Sequence, residues 1–461
     1  MKRNDYTPSR AALPLTGLAI LAVMGVFYVW LPGLYQNIMF IMIKVPAPRL
    51  FADWDWLPSS VKCWSHGVNV FVDNTCYTIF PHSSFNYSPL WLRARFLAPL
   101  EPWTVPIGII MCVAWFTSLA LLPQARTGRD QVLILATSLS CASFLALERM
   151  NVDVMLFLLI MVVIGLQRGP LLWRLAGYGL IILAGLLKFY PFVALILVLR
   201  ERRAVAAMVM MAAAAALGAL ILSYPRELSW MLHNLPPNSF FTLQFGARDL
   251  PAGLAVMLAL TARKLLHLTP PAMHALAKTT SSAILLVLTI ETILLALRIG
   301  RRTDVAESFP RLSVRQSDLL ITGAVLICGC FFAGQSVIYR AIFLTMLLPS
   351  LLILSHETCD GGTSQLVRSV CYAIVFVVWV PAIEVMLAVL RLTNIIPYGA
   401  SAFDVMPESM AGFLLWVCSE LAWWWIIALL LTILGGFVVR SPLWMKLVGR
   451  VGNGRTGAAS P

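Results

Sequence analysis

The chain has 461 residues, of which 60% are hydrophobic and 12% charged, with a mean hydropathy of +0.84. A soluble domain carries roughly 25% charged residues, so this composition excludes a water-solvated globule and points to a bilayer. The formal net charge of +13 is read as basic residues gathered in cytoplasmic loops, which gives no weight to a nucleic-acid partner.

Lipid offers the backbone no hydrogen-bond partners, so spanning segments are helices or closed barrels. The apolar runs lack the two-residue alternation of barrel strands, and the fold class is therefore an all-α polytopic membrane protein. The N-terminal MKRNDYTPSR followed by an apolar run resembles a signal peptide in charge. The run is too long for one and no small-residue cleavage site follows, so it is expected to remain as a first transmembrane helix. Spans need about 20 apolar residues. On that measure helices are expected near 12–32, 104–122, 131–147, 152–166, 173–187, 191–200, 204–222, 279–297, 318–334, 341–355, 369–390 and 411–435. This is a bundle of about twelve transmembrane helices. Several are short, notably the one after Pro191, which predicts tilted or broken helices lining a cavity.

With the N-terminus inside, alternation sends the basic clusters to the cytoplasm: Arg126 with Arg129, Arg168 with Arg174, Arg200 with Arg202 and Arg203, and Arg298 with Arg301, Arg302, Arg311 and Arg315. The positive-inside rule agrees at each. Both ends are expected in the cytoplasm, with 436–461 as a loose, Gly-rich tail. The outer face then receives a long first loop, 34–103, a second, 223–278, and shorter pieces around ERMN, KFYP, GQSVIYR and RLTNIIPYGASAFDVMPESM. No repeat or linker is visible, so 1–461 reads as one membrane domain.

Residues with chemical character collect on that outer face. The first loop, FADWDWLPSSVKCWSHGVNVFVDNTCYTIFPHSSFNYSPLWLRARF, holds Asp53, Asp55, Asp73, His66 and His82 among many aromatics. A carboxylate against aromatic surface can serve as a general base; an acid in an outer loop is also commonly just solvated. In the same loop Cys63 and Cys76 lie in an oxidising compartment, and both a disulfide and two free thiols are compatible with the sequence. ALERMNVDVMLFL places Glu148, Arg149, Asn151 and Asp153 at a helix mouth, where ionisable groups need a reason. The plain alternative is an i to i+4 pair between Arg149 and Asp153. LAGLLKFYPFVALILVLRERR carries Lys188, Tyr190 and the helix-breaking Pro191, suited to a phosphate, though a lysine there can also snorkel to the interface. GQSVIYRAIFL brings Tyr339 and Arg340 to another outer helix end, for a lipid phosphate or for interface anchoring. The chain lacks Walker A, HExxH, paired CxxC and glycine-rich dinucleotide patterns, and DWD at Asp53 to Asp55 is the nearest approach to an acidic DxD pair. Isolated histidines such as His233 and His267 suggest no metal cluster.

The order of an Asp-aromatic pair, GVNVFV, NYSPLW, RMNVD, KFYP followed by an RxRR run, and a late YR resembles glycosyltransferase family 87. Its members have the GT-C membrane fold and include polyprenol-phosphate-mannose-dependent α-mannosyltransferases. The resemblance covers most of the chain, with the first loop and KFYP its most specific parts. It implies a GT-C-like bundle in a plasma membrane, a bacterial inner membrane above all. Its active site on the outer face would pass a mannose-like sugar from a polyprenyl-phosphate donor to a lipid or glycan acceptor, with no metal or other cofactor. By position Asp53 looks like the family's base, with Asp55 in reserve; Lys188, Arg149 and Arg340, with Tyr190 and Tyr339, would hold the donor phosphate; Asn151, Asp153, His66 and Tyr87 would face substrate. One departure is Phe71, where the family usually has a first-loop tyrosine. Two other classes compete: a flippase or transporter of a lipid-linked or small substrate, which commonly carries inverted repeats, and a non-catalytic scaffold, in which Asp53 and Lys188 would tolerate replacement.

Overall fold

Apolar runs become helices here because each backbone N–H and C=O must find its partner within its own segment. The computed structural model describes residues 10–44, 49–77, 79, 83–234, 243–334, 336–390 and 410–445. His82, most of the outer piece RLTNIIPYGASAFDVMPESM and the end of the expected tail lie outside the described residues.

In chain order the helices are α1 (Ala12–Trp30), α2 (Pro32–Ile43), α3 (Ala52–Ser65), α4 (Leu90–Arg93), α5 (Thr104–Ser118), α6 (Gly128–Ser138), α7 (Cys141–Arg149), α8 (Val152–Leu166), α9 (Leu171–Lys188), α10 (Arg203–Ser223), α11 (Pro225–His233), α12 (Asp249–Leu266), α13 (Pro270–Arg302), α14 (Val305–Ser308), α15 (Val314–Ala333), α16 (Leu344–Glu357), α17 (Gly361–Val389) and α18 (Met410–Arg440). Tight 3₁₀ segments at Arg95–Trp103, Tyr190–Arg200 and Ile338–Phe343 join or replace α-helix. One two-residue antiparallel pair sets Gln244 opposite Val337 and Phe245 opposite Ser336.

Among the described residues ten helices are long and apolar enough to cross a membrane, and Val152–Leu166 and Tyr190–Arg200 are shorter apolar helices. Each of the twelve segments expected from hydropathy falls on one of these. The differences have physical causes. The expected helix 131–147 is two, because Ser140 turns out of α6 and caps α7 by accepting the Ser143 N–H at 3.3 Å. α13 begins at Pro270, earlier than its apolar stretch, because a proline at the first helical position starts a helix that hydropathy does not mark. The two long stretches expected on the outer face are not irregular: 34–103 contains α3 and most of α2, and 223–278 contains α11 and α12. α18 runs on to Arg440, into the expected tail.

The interior is built on α15 and α16. In the apolar window ending with α16, 89% is buried, against 11% for α1 and 17% for α13, which face lipid. α15 and α16 approach closely at Gly323, where a Cβ would stand 2.7 Å from that of Leu347, a use of small residues common in membrane helices. Two spans fall short of a hydrocarbon core about 30 Å thick. α8 rises only about 22 Å at 1.5 Å per residue. The eleven residues Tyr190–Arg200 reach a similar length only as 3₁₀ helix, at about 2.0 Å per residue. Both begin at the same place, where Asn151 and Tyr190 each bond to Asp153. The opposite end of the bundle gathers other loops: Arg126 meets Glu357, His356 lies 3.0 Å from Asp130, and Arg311 and Arg315 donate to the carbonyls of Glu357 and Leu121.

Candidate active site

The break between α7 and α8 organises the site. Met150 is left-handed at φ 48°, and Asn151 caps α8 by accepting the Asp153 N–H at 3.1 Å. The turn separates Arg149 from Asp153, so the pair available to a continuous helix does not form. Arg149 Nη1 instead lies 3.6 Å from Asp53 Oδ1, and Arg149 Nε 3.8 Å from Glu148 Oε2.

Asp153, fully buried, collects the end of α9. Lys188 Nζ donates to Asp153 Oδ1 at 2.7 Å and to Asn151 Oδ1 at 3.0 Å, and it sits 4.9 Å from the Tyr87 ring centre and 5.5 Å from that of Tyr339. Lys188 therefore turns inward and does not snorkel. Tyr190 also donates to Asp153 Oδ1, at 2.7 Å; Arg340 Nε lies 4.0 Å from Asp153 Oδ2, with its guanidinium 5.2 Å from the Tyr190 ring centre. The chain makes this turn at Phe189, at φ 59°, just before Pro191.

The first loop closes over these groups as a folded cap. Phe51, at φ 63°, starts α3 and donates its N–H to the Glu148 carbonyl at 2.8 Å. This brings Asp53 to the α7–α8 break, where Asn151 Nδ2 donates to Asp53 Oδ2 at 2.7 Å. A Cys63–Cys76 disulfide, with Cα atoms 5.6 Å apart, ties the far end of α3 to the following loop, resolving what the sequence left open. In that loop Asn74 donates to Ser60 Oγ and Tyr77 to the Ala52 carbonyl, each at 2.8 Å. Trp56, Phe71, Phe85 and Tyr87 pack as an aromatic cluster with ring centres 5.2–5.8 Å apart; Phe71 is wholly buried there. The cluster carries Tyr87 to Asn151, its hydroxyl 3.4 Å from Nδ2, while Trp91 Nε1 donates to the Leu187 carbonyl at 3.1 Å. Burial raises the Tyr87 and Tyr77 phenols above the usual tyrosine range, so both remain hydrogen-bond donors.

Of the residues singled out from sequence, Asp53, Tyr87, Arg149, Asn151, Asp153, Lys188, Tyr190, Tyr339 and Arg340 form one connected cluster. Asp55 does not join it. Two positions along α3 turn its side chain to another face, where it accepts from Thr104 Oγ1 at 3.0 Å and burial raises its carboxyl above the usual range. His66 sits exposed at the end of α3 against the Lys62 carbonyl, 2.7 Å away. Supporting residues that sequence reading passed over are Phe51, Tyr77, Trp91 and Thr104, whose roles depend on long-range closure that no local pattern marks. Among the described residues no group of three His, Cys, Asp or Glu side chains is placed to hold a metal ion.

Three of the six non-glycine residues with positive φ among the described residues, Phe51, Met150 and Phe189, lie within two positions of Asp53, Asn151 and Lys188. A fourth, Leu243, accepts the Ile338 N–H at 2.9 Å and so seats the turn bearing Tyr339 and Arg340. Such conformations cost about 1–3 kcal/mol each and persist where surroundings over-determine them. Arg149, Lys188 and Arg340 stand against Asp53, Asp153 and Glu148. The side chains of Asp153 and Glu148 are closed from solvent at 0% and 3% exposure, whereas Asp53 is open at 21%. The arrangement offers one accessible carboxylate beside cations held in fixed positions. In comparisons with known proteins, no family model, no curated protein and no solved structure matches the chain.

Proposed function

We propose that the chain is a membrane glycosyltransferase that moves a mannose-like sugar from a polyprenyl-phosphate donor to the hydroxyl of a lipid or glycan acceptor at the outer face of the membrane. The observation that carries this reading is the one accessible carboxylate of the cluster, Asp53, set beside Arg149, Lys188 and Arg340 while the second carboxylate, Asp153, is already occupied by Lys188 and Tyr190. The resemblance to glycosyltransferase family 87 points the same way, since RMNVD, NYSPLW, KFYP and YR each contribute a residue to this cluster.

In this mechanism Asp53 takes the acceptor proton as the hydroxyl oxygen attacks the anomeric carbon and the bond from that carbon to the phosphate oxygen breaks. Asn151 holds the carboxylate in position through its Nδ2. Arg149 and Arg340, both partly open, face the departing phosphate, while Lys188 is fixed by Asp153 and Asn151. Protonating Asp53 removes one negative charge from the cluster at the moment the phosphate gains one, so stabilisation strengthens along the reaction. Phosphate is a good leaving group, and no second carboxylate acting as an acid is needed. The lipid-facing helices supply a surface for the prenyl tail.

The reading is tested by supplying purified protein with radiolabelled polyprenyl-phosphate sugars and a membrane-lipid extract. Label in a new lipid or glycan supports it. Label carried unchanged across a sealed proteoliposome, with no new product from any donor, contradicts it and favours transport.

A further inference from the structure

Two carboxylates outside the Asp53 cluster, Glu384 on α17 and Glu420 on α18, line one cavity of about 30 Å³ beside the two-residue strand pair. They are not alike. Glu384 accepts from Lys44, a lysine only 5% exposed just past the end of α2. Glu420 lies about 15 Å along α18 at 1.5 Å per residue and is 4% exposed. Among the described residues it has neither a hydrogen-bond partner nor an ion-pair partner. The same cavity is lined by Ser419 and, from α17, by Val377 and Pro381.

An ionised carboxylate inside a spanning helix is costly unless a counter-charge meets it. Lys44 offsets Glu384, so one negative charge is left over at the cavity. Neutral oxygens stand with it. Pro381 has no N–H to give the Val377 carbonyl four residues earlier in α17, and carbonyls released in this way by broken membrane helices serve as ligands for small cations. Ser419 Oγ donates to the Trp416 carbonyl at 2.8 Å, which leaves its lone pairs available as acceptors. The volume suits one or two particles the size of a water molecule. We infer that this cavity binds one monovalent cation of sodium size, neutralised by Glu420 and coordinated by the Val377 carbonyl and Ser419 Oγ. Leu243 and Ile338, which seat the turn bearing Tyr339 and Arg340, also line the cavity, so the ion ties α17 and α18 to that turn. The site is separate from the Asp53 cluster and does not depend on the glycosyltransferase reading.

The test is equilibrium binding of radioactive sodium to the detergent-purified full chain at constant ionic strength. Wild type should bind it saturably, at one ion per chain, and release it to unlabelled sodium but not to choline, which is too large for the cavity. Glu420→Gln keeps the shape of the side chain, removes its charge and should lose the saturable binding. Val380→Ile adds a methyl group to the cavity wall without touching any charge and should also lower binding, which keeps the test valid if Glu420→Gln does not fold. No saturable binding by wild type, which would mean that a proton neutralises Glu420 instead, would overturn the proposal. Displacement by choline as effective as by sodium, or undiminished binding in either folded variant, would overturn it too.

Discussion

At the scale of single residues, two aspartates that stand two positions apart in the chain have different surroundings. Asp53 meets Asn151 and Arg149, while Asp55 meets Thr104 on another face of α3. Sequence alone could not set that register, because DWD sets both carboxylates beside Trp54; what decides is where Phe51 pins the first turn. Asp55→Asn should therefore leave transfer within a fewfold of wild type. Its effect belongs to stability. Burial raises the folded-state pKa of Asp55, so ionising it opposes folding, and its penalty sets in as pH rises from the unfolded carboxylate value through the raised folded one. The asparagine variant should melt higher than wild type near pH 7, with the advantage shrinking toward pH 4 in paired thermal-melting scans. Lys188 behaves differently. Lys188→Met leaves Asp153 buried without its main partner and should cost about 3 kcal/mol or more. Lys188→Met with Asp153→Asn should recover most of that stability but no transfer. A double variant as unstable as the single one would show that Lys188 supports the fold by another route.

At the scale of elements the cap over the site is where reading from sequence reached least far. The helices α8, α9 and α10 follow from apolar runs and were legible within two residues at each end. α3 carries two aspartates, three serines and a lysine among its tryptophans and reads as loop. It is a helix because the Phe51 turn, the Cys63–Cys76 disulfide and the aromatic cluster hold it against the bundle. The motifs were legible as chemistry, since lysine, arginine and asparagine at helix ends are costly in lipid; their convergence was not, since it depends on breaks at Met150 and Phe189. Gly108 on α5 is the seat for the Phe51 ring, and a Cβ there would run into it. Gly108→Val should displace the start of α3, cost about 1–3 kcal/mol by overpacking and lower transfer more than its loss of stability explains. Wild-type turnover in a folded Gly108→Val protein would remove Phe51 from the positioning of Asp53. Opening the disulfide, which closes a loop with a sequence separation of 13, should cost about 3 kcal/mol, read as a lower melting temperature of Cys63→Ser with Cys76→Ser.

At the scale of the whole molecule, composition and hydropathy pointed to a bilayer, and among the described residues ten helices long and apolar enough to cross one, with two shorter ones, agree with that. The short ones matter most, because α8 and Tyr190–Arg200 both start at the cluster and bring Asn151, Asp153 and Tyr190 together. Sidedness is tested through Cys359, exposed between α16 and α17 at the end opposite Asp53. A membrane-impermeant maleimide should reach it in inside-out vesicles and not in intact cells; the reverse pattern would place Asp53 in the cytoplasm. The central claim is that Asp53 is the base for transfer from a polyprenyl-phosphate sugar, and the most direct measurement is the single-turnover transfer rate of wild type, Asp53→Asn and Asp55→Asn with one labelled donor. Loss of a general base costs about 10²–10⁴-fold. The account predicts a fall of that size in folded Asp53→Asn with donor binding retained, and near wild-type transfer in Asp55→Asn. Undiminished transfer by Asp53→Asn would contradict it.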